Sequence, residues 1–376
     1  MYLGKHKPFS FKVLLFLIFS TLILSTPKTE AAQYQHFGWE EIKPGVWFGK
    51  VLPNFFQGGN VSIVALPSGG SMVVDTGNSE VLGQEILTKV KSLGLAPVRY
   101  VVNTHLHQDH LGGNMAFKLD NPNVEILAHA NTCRDAPTKT ISRMHDRLPG
   151  IERGLIDLRA QLSALAKDSI NATALEHRIQ GTELYLLDAH RFNWAMPNVC
   201  LDMKPGEIKV IQDQGRRIEI RYFGRGHTAG DLAVYLPQEK LIAIGDLWGF
   251  GSGFIASDAG LDGREGSVLE TPLTLKSISQ LDFDVALTGH AGALIGKSSL
   301  QRAIALGEQT IAKVAEANER GVTIGALLQS MPPPEKAPAF VVDGWTSVVV
   351  RAFEDCLLYT SPSPRDRTRS RMPSSA

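Results

Sequence analysis

His105-Leu106-His107-Gln108-Asp109-His110 places four candidate metal-ligating side chains within six residues. An extended backbone sends side chains i and i+2 to the same side, so His105 and His107 can grip one cation together. Gly112-Gly113 follows and lets the chain turn, and a helix opening near residue 109 would aim Asp109 and His110 at a second cation beside the first. Imidazole combined with carboxylate suits zinc, and also iron or manganese.

Working outward from this stretch, four β-like runs each end on a possible ligand. Tyr100 to Thr104 precedes His105, Ile220 to Gly226 precedes His227, Leu241 to Gly245 precedes Asp246, and Val285 to Gly289 precedes His290. Side chains at the carboxyl ends of neighbouring strands meet on one edge of a sheet, where α/β folds build their sites. A glycine stands directly before His227, Asp246 and His290, and is expected to permit the tight turn each ligand needs. So many convergent His and Asp side chains would be costly to bury without a ligand.

Taken in this order, the His105–His110 motif, Gly226-His227-Thr228, Gly245-Asp246 and Gly289-His290 resemble the metallo-β-lactamase superfamily. Asp75, in Val73-Val74-Asp75-Thr76-Gly77, matches that superfamily's upstream Asp. The resemblance implies an α/β protein, an αβ/βα four-layer sandwich of two mixed β-sheets flanked by helices. It further implies that His105, His107 and His227 hold one zinc ion and Asp109, His110 and His290 a second, with Asp246 bridging. Asp109 would also orient the nucleophile, and Asp75 would fix the ligands from behind. Class B β-lactamases generally lack a bridging Asp at the place of Asp246, whereas glyoxalase II-like thioesterases, lactonases and phosphodiesterases have one.

The expected activity is therefore hydrolysis of an ester, thioester, lactone or amide of a small molecule by a metal-activated hydroxide. Two alternatives stay open: a β-lactamase acting on β-lactam antibiotics, and an iron-dependent oxidoreductase of the persulfide dioxygenase kind, which uses one metal.

The remainder of the body alternates short β-rich runs with helical stretches. Strands are expected at 46–51, 61–66, 72–75, 98–103, 124–128, 200–203, 208–211, 218–223, 232–236 and 241–245. Helices are expected at 79–93, 268–281, 300–317 and 324–329. Within about residues 133–198 the character changes: Ile151, Leu155, Leu158, Leu162 and Leu165 form a helical seam that Leu175 and Ile179 resume. This reads as an inserted helical hairpin, serving as a lid, a packing appendage or a dimer surface. Cys133 and Cys200 flank it, either disulfide-bonded across its base or as two buried thiols.

Specificity is expected in the insert and in Leu247 to Asp262, where Trp248, Phe250 and Phe254 either line an apolar slot or pack the core. Arg225, Arg264 and Lys297 are candidates for an anion clamp. Asp231 either supports the site or only precedes a strand. His129, His145, His177 and His190 read as ordinary histidines, and Trp194 as core of the insert.

The whole chain has 376 residues, 43% of them hydrophobic, with 38 Lys plus Arg against 38 Asp plus Glu. Such a composition excludes disordered, fibrous and disulfide-scaffold classes. Residues 1–32 read as a signal peptide: Lys5, Lys7 and Lys12 precede an apolar run from Val13 to Leu24, followed by small residues at Thr29, Ala31 and Ala32. The run is too short to span a bilayer comfortably, so no stable membrane span is expected after cleavage. The expected product is an exported hydrolase domain of residues 33–355, periplasmic or secreted. Residues 356–376, opening Cys356-Leu-Leu-Tyr-Thr-Ser-Pro-Ser-Pro-Arg-Asp366, read either as a translated sequencing-library adapter or as a disordered Ser/Pro/Arg-rich tail. The two ends carry +3 each, so in a chain of net charge zero the body carries −6. An anionic body argues against a nucleic-acid partner. The expected partner is a small-molecule substrate, and nothing in the sequence fixes an oligomeric state.

Overall fold

Side chains in a strand alternate between the two faces of its sheet, and the central strands of both sheets are buried on both faces, so each of these must be covered twice. The computed structural model, which describes residues 35–52, 58–165, 170–191, 193–249, 265–333 and 339–360, meets that demand with four layers. The expected signal peptide lies outside the described residues.

One sheet contains β1 (Phe37–Lys43), β2 (Val46–Val51), β3 (Val61–Ala65), β4 (Ser71–Val74), β5 (Val98–Val102), β6 (Glu125–His129) and β7 (Val199–Leu201), side by side in chain order. It is antiparallel from β1 to β4 and parallel from β4 to β7. The second contains β8 (Ile208–Asp213), β9 (Arg216–Tyr222), β10 (Leu232–Leu236), β11 (Leu241–Ala243), β12 (Val285–Leu287) and β13 (Ala293–Ile295). Within it only β11 and β12 pair in parallel.

The two sheets face each other through one apolar layer. Met72, Val74, Val102 and Leu127 from the first meet Ile218, Ile220, Leu232, Val234 and Leu236 from the second. The alternate residues turn outward. Val73, Val101 and Ile126 pack under α1 (Glu80–Ser92) and, beyond the short α2 (Gln108–Leu111), α3 (Asn114–Asp120) through Ile86, Leu87, Val90 and Phe117. Ala233, Tyr235 and Ile242 pack under α7 (Thr271–Ser279), α8 (Ser298–Glu319), α9 (Ile324–Ser330) and α10 (Ala339–Thr360). This is the αβ/βα sandwich of two mixed sheets expected from the sequence. Helix α1 shows why its sequence is helical: Ser79 caps it by accepting from the Leu82 amide, Glu80 sits in the first turn, and Lys89 and Lys91 in the last.

Between β6 and β7 the chain leaves the sheet through α4 (Ala130–Asp135), a π-helical turn (Ala136–Thr140), α5 (Ile141–Ser163) and α6 (Ile170–Ala189). Helices α5 and α6 form the expected hairpin with its own core. Met144, Leu148, Leu155 and Leu158 meet Ile179, Tyr185 and Leu186, with Trp194 packed against them. Of the two states open to the cysteines, the structure shows the disulfide, joining Cys133 in α4 to Cys200 in β7 with their Cα atoms 6.0 Å apart. Asp188 of α6 accepts from the Glu80 amide at 2.8 Å and so ties the hairpin to α1.

Helix α10 continues past Asp355, the boundary read from the sequence, to Thr360, and Cys356 is buried with Trp345, Val348 and Ala352. No helix among the described residues is long and apolar enough to cross a membrane.

Candidate metal centre

Strands β4 and β5 run parallel, and in the second sheet β9, β11 and β12 share a direction. Their carboxyl ends therefore carry the candidate side chains out of the sheets: Asp75 after β4, His105 to His110 after β5, His227 after β9, Asp246 after β11, and His290 after β12. The structure brings the seven expected ligands into two groups. His105, His107, His227 and Asp246 form one; Asp109, His110 and His290 form the other. In each, one donor atom per residue lies within 4.8 Å of all the others.

The first group is tight. Nδ1 of His107 lies 3.0 Å from Nε2 of both His105 and His227. His105 and His107 turn their ring protons outward: Nδ1 of His105 is 3.0 Å from the Thr104 hydroxyl, which itself donates to Asp75, and Nε2 of His107 is 3.1 Å from the Glu265 carboxylate. Two lone pairs are thereby turned inward, an arrangement that favours a cation. In the second group, Nε2 of His290 lies 3.1 Å from Oδ2 of Asp109. Oδ2 of Asp246 faces both groups, 3.7 Å from His105, 3.5 Å from His227, 3.4 Å from His110 and 3.1 Å from His290, each measured to Nε2. Nε2 of His110 and Oδ1 of Asp246 are buried without a hydrogen-bond partner among the described residues. Unsatisfied buried donor atoms beside converging imidazoles fit divalent metal ions.

Asp75 anchors the second group. Its Oδ2 accepts from Nδ1 of His110 at 2.8 Å, and its two oxygens accept from the amide and hydroxyl of Thr104. It does so from a left-handed backbone, φ 61°, which Asp tolerates better than most residues. The glycines before the ligands serve two purposes. Gly245 adopts φ +53°, whereas Gly226 and Gly289 leave room: a Cβ on Gly289 would lie 2.0 Å from Oδ1 of Asp246.

Charge is strongly partitioned. Burial opposes ionisation of Asp246, but His290 and His110 outweigh it and hold the carboxyl well below its usual range; Asp109 is lowered in the same way by His110 and His290. Burial likewise opposes protonation of His290, yet Asp246 and Asp109 push its pKa up to about 10. His105, desolvated and flanked by His110 and His107, falls well below the ordinary histidine value. A bound cation would replace protons, so metal binding is coupled to proton release.

Glu265, Arg143 and Asn60 support the centre although they carried no sequence signal. Glu265 pairs with Arg143 of α5 at 2.8 Å, as well as with His107. Asn60 donates to the carbonyls of Thr288 and Ala291 on either side of the His290 turn, at 2.9 and 2.6 Å. Asp231, left undecided by the sequence, accepts from the amide and hydroxyl of Thr228 and so braces the loop that presents His227.

Trp248 is 1% exposed and packs near Phe283 in the core, not in a slot. Arg225 bonds Glu270 and the Gly266 carbonyl, and Lys297 holds the carbonyls of Ser279 and Leu281. Phe250, Phe254 and Arg264 lie outside the described residues. His129 stacks on Tyr222, and His190 pairs with Glu152 on the insert surface.

Residues 55–158 match the model of the metallo-beta-lactamase superfamily. The chain is similar in structure to the metallo-beta-lactamase FIM-1 from Pseudomonas aeruginosa in its mono-zinc form, with TM-score 0.50 and 17% identity over 73% of this chain and 96% of that one. It is also similar to a metallo-beta-lactamase from Pontibacter korlensis, with TM-score 0.49 and 19% identity over 72% and 99%. No curated protein matches the sequence significantly.

Proposed function

We propose that this chain, which has the metallo-β-lactamase fold and whose residues 55–158 match the superfamily, is an exported dinuclear zinc hydrolase. Its substrate would be a small ester, thioester, lactone or amide. One observation carries the two-metal reading: a single oxygen of Asp246 faces histidines of both donor groups. The complete outer set of Asp109, His110 and His290 favours a second metal beside the first over a single iron. The Asp at position 246 also weighs against a dedicated β-lactamase, given the resemblance set out above, and leaves β-lactams as secondary substrates.

A metal pair held there would lower the pKa of a bound water towards ~7 and polarise the scissile carbonyl. The residues dictate the rest. His105, His107 and Asp246 are nearly sealed from solvent, whereas the side chains of Asp109 and His290 are 24% and 28% exposed. Substrate therefore meets the centre on the Asp109 and His290 side. Asp109, kept anionic by its histidine neighbours, is placed to accept a hydrogen bond from the nucleophile and fix its direction of attack. Export is supported by the Cys133–Cys200 disulfide, a bond that persists in oxidising compartments.

Elemental analysis of the purified protein tests the reading, and about two zinc per chain is expected. Asp109→Ala is then expected to cut hydrolysis of an ester, lactone and thioester panel by ~10²- to 10⁴-fold with an unchanged circular dichroism spectrum. A single iron per chain, or unchanged turnover in the variant, would overturn it.

A further inference from the structure

We propose that Glu265 and Arg143 are positioning residues for His107, and that the inserted hairpin, through Arg143, sets how tightly the three-histidine group holds its metal. The inference rests on the metal-centre reading given above. Its geometry is a short chain of polar contacts. Nε2 of His107 lies 3.1 Å from Oε2 of Glu265, and the Arg143 guanidinium lies 2.8 Å from that same oxygen. The Glu265 side chain is 1% exposed and that of Arg143 11%. Arg143 stands in the first turn of α5, inside the insert.

A neutral imidazole has one proton to place. His107 can aim a lone pair from Nδ1 at His105 and His227 only if that proton sits on Nε2. His107 is buried, so its Nε2 proton needs a protein acceptor, and Glu265 provides it. A carboxylate buried this deeply needs a countercharge and a second anchor. Arg143 provides both, through the same Oε2 that faces His107. The hairpin also reaches the metal-binding motif beside His107, where the Tyr185 hydroxyl donates to Oε1 of Gln108 at 2.9 Å. The insert is thus built into the outer wall of the metal centre, a role distinct from lid, appendage or dimer surface.

Metal-free full-length protein titrated with zinc against a chromophoric chelator tests the proposal. The wild type is expected to bind two zinc ions. Glu265→Ala is expected to weaken one of the two sites ~10- to 100-fold while sparing the other. Glu265→Gln keeps an acceptor but loses the charge, and should fall between. Arg143→Met is expected to weaken the same site, and Arg143→Lys to restore part of the loss. Wild-type affinity at both sites in Glu265→Ala and Arg143→Met would overturn the proposal. So would equal weakening of both sites together with a lower melting temperature of the metal-free protein, which marks a merely structural role. If Glu265→Ala does not fold, Glu265→Gln and the Arg143 pair give the same decision. A wild type that binds no zinc would instead overturn the metal-centre reading itself.

Discussion

Oδ2 of Asp246 lies 3.1 Å from Nε2 of His290, although 43 residues and a whole helix, α7, separate the two in the chain. The same oxygen reaches His227 at 3.5 Å, so one atom joins the inner and outer donor groups. Substituting Asp246→Asn removes the shared negative charge from both. The variant is expected to retain at most one zinc per chain after dialysis, where the wild type retains two, as read by elemental analysis. Two zinc ions retained in the variant would show that the carboxylate does not bridge.

Stripping the metal should destabilise the protein, because the ions bind the folded state and the donors exist as a set only there. At free metal one hundred times the dissociation constant, the stabilisation lost is about 2.7 kcal/mol for each site. Scanning calorimetry with and without chelator measures it, and a melting temperature indifferent to chelator would contradict a resident metal.

Asp231 makes stability depend on pH in the metal-free protein. Burial pushes its pKa up to about 7, from 3.8 in the unfolded chain, against the lowering effect of the Thr228 hydrogen bonds. Between those values the folded state holds a proton that the unfolded state has released, so stability falls as pH rises through this window. The melting temperature of chelated wild type should therefore drop between pH 5 and pH 7.5 by more than that of Asp231→Asn. Equal slopes would mean that Asp231 is already ionised in the fold.

The Cys133–Cys200 bond closes a loop with a sequence separation of 67 residues. Loop closure of that length restricts the unfolded chain by about 4 kcal/mol. Reduction, or the double substitution Cys133→Ser with Cys200→Ser, is expected to lower the melting temperature by about 6 °C. A change below a degree would mean that the reduced unfolded state is already held together in this region.

Much of the metal centre was legible because its chemistry is local. His105, His107, Asp109 and His110 are adjacent in sequence, and the apolar runs before His227, Asp246 and His290 mark strand ends without any knowledge of pairing. Glu265 and Arg143 were not legible. They reach His107 across long stretches of chain, with no periodicity that distinguishes them from surface charges. Strand β1 was missed because Glu40, Glu41 and Lys43 interrupt its apolar pattern, and its pairing with β2 shifts register there. Helix α3 was missed because Gly112-Gly113 reads as a turn. The structure uses Gly113 for closeness instead, since a Cβ there would lie 2.1 Å from the Thr76 carbonyl. Trp248 was open to two readings, because an aromatic among glycines suits a binding surface as well as a core; its ring packs beneath α7 and α8.

The bond between Cys133 and Cys200 has a further consequence, one of connectivity and not of energy. Every peptide bond between those residues, including all of α5 and α6, belongs to a covalent ring. A protease that cuts the hairpin once adds one water to the mass and releases nothing. The nicked protein would migrate as a single species until a thiol is added, and only then part into two pieces, with His105 to His110 on one and His227, Asp246 and His290 on the other.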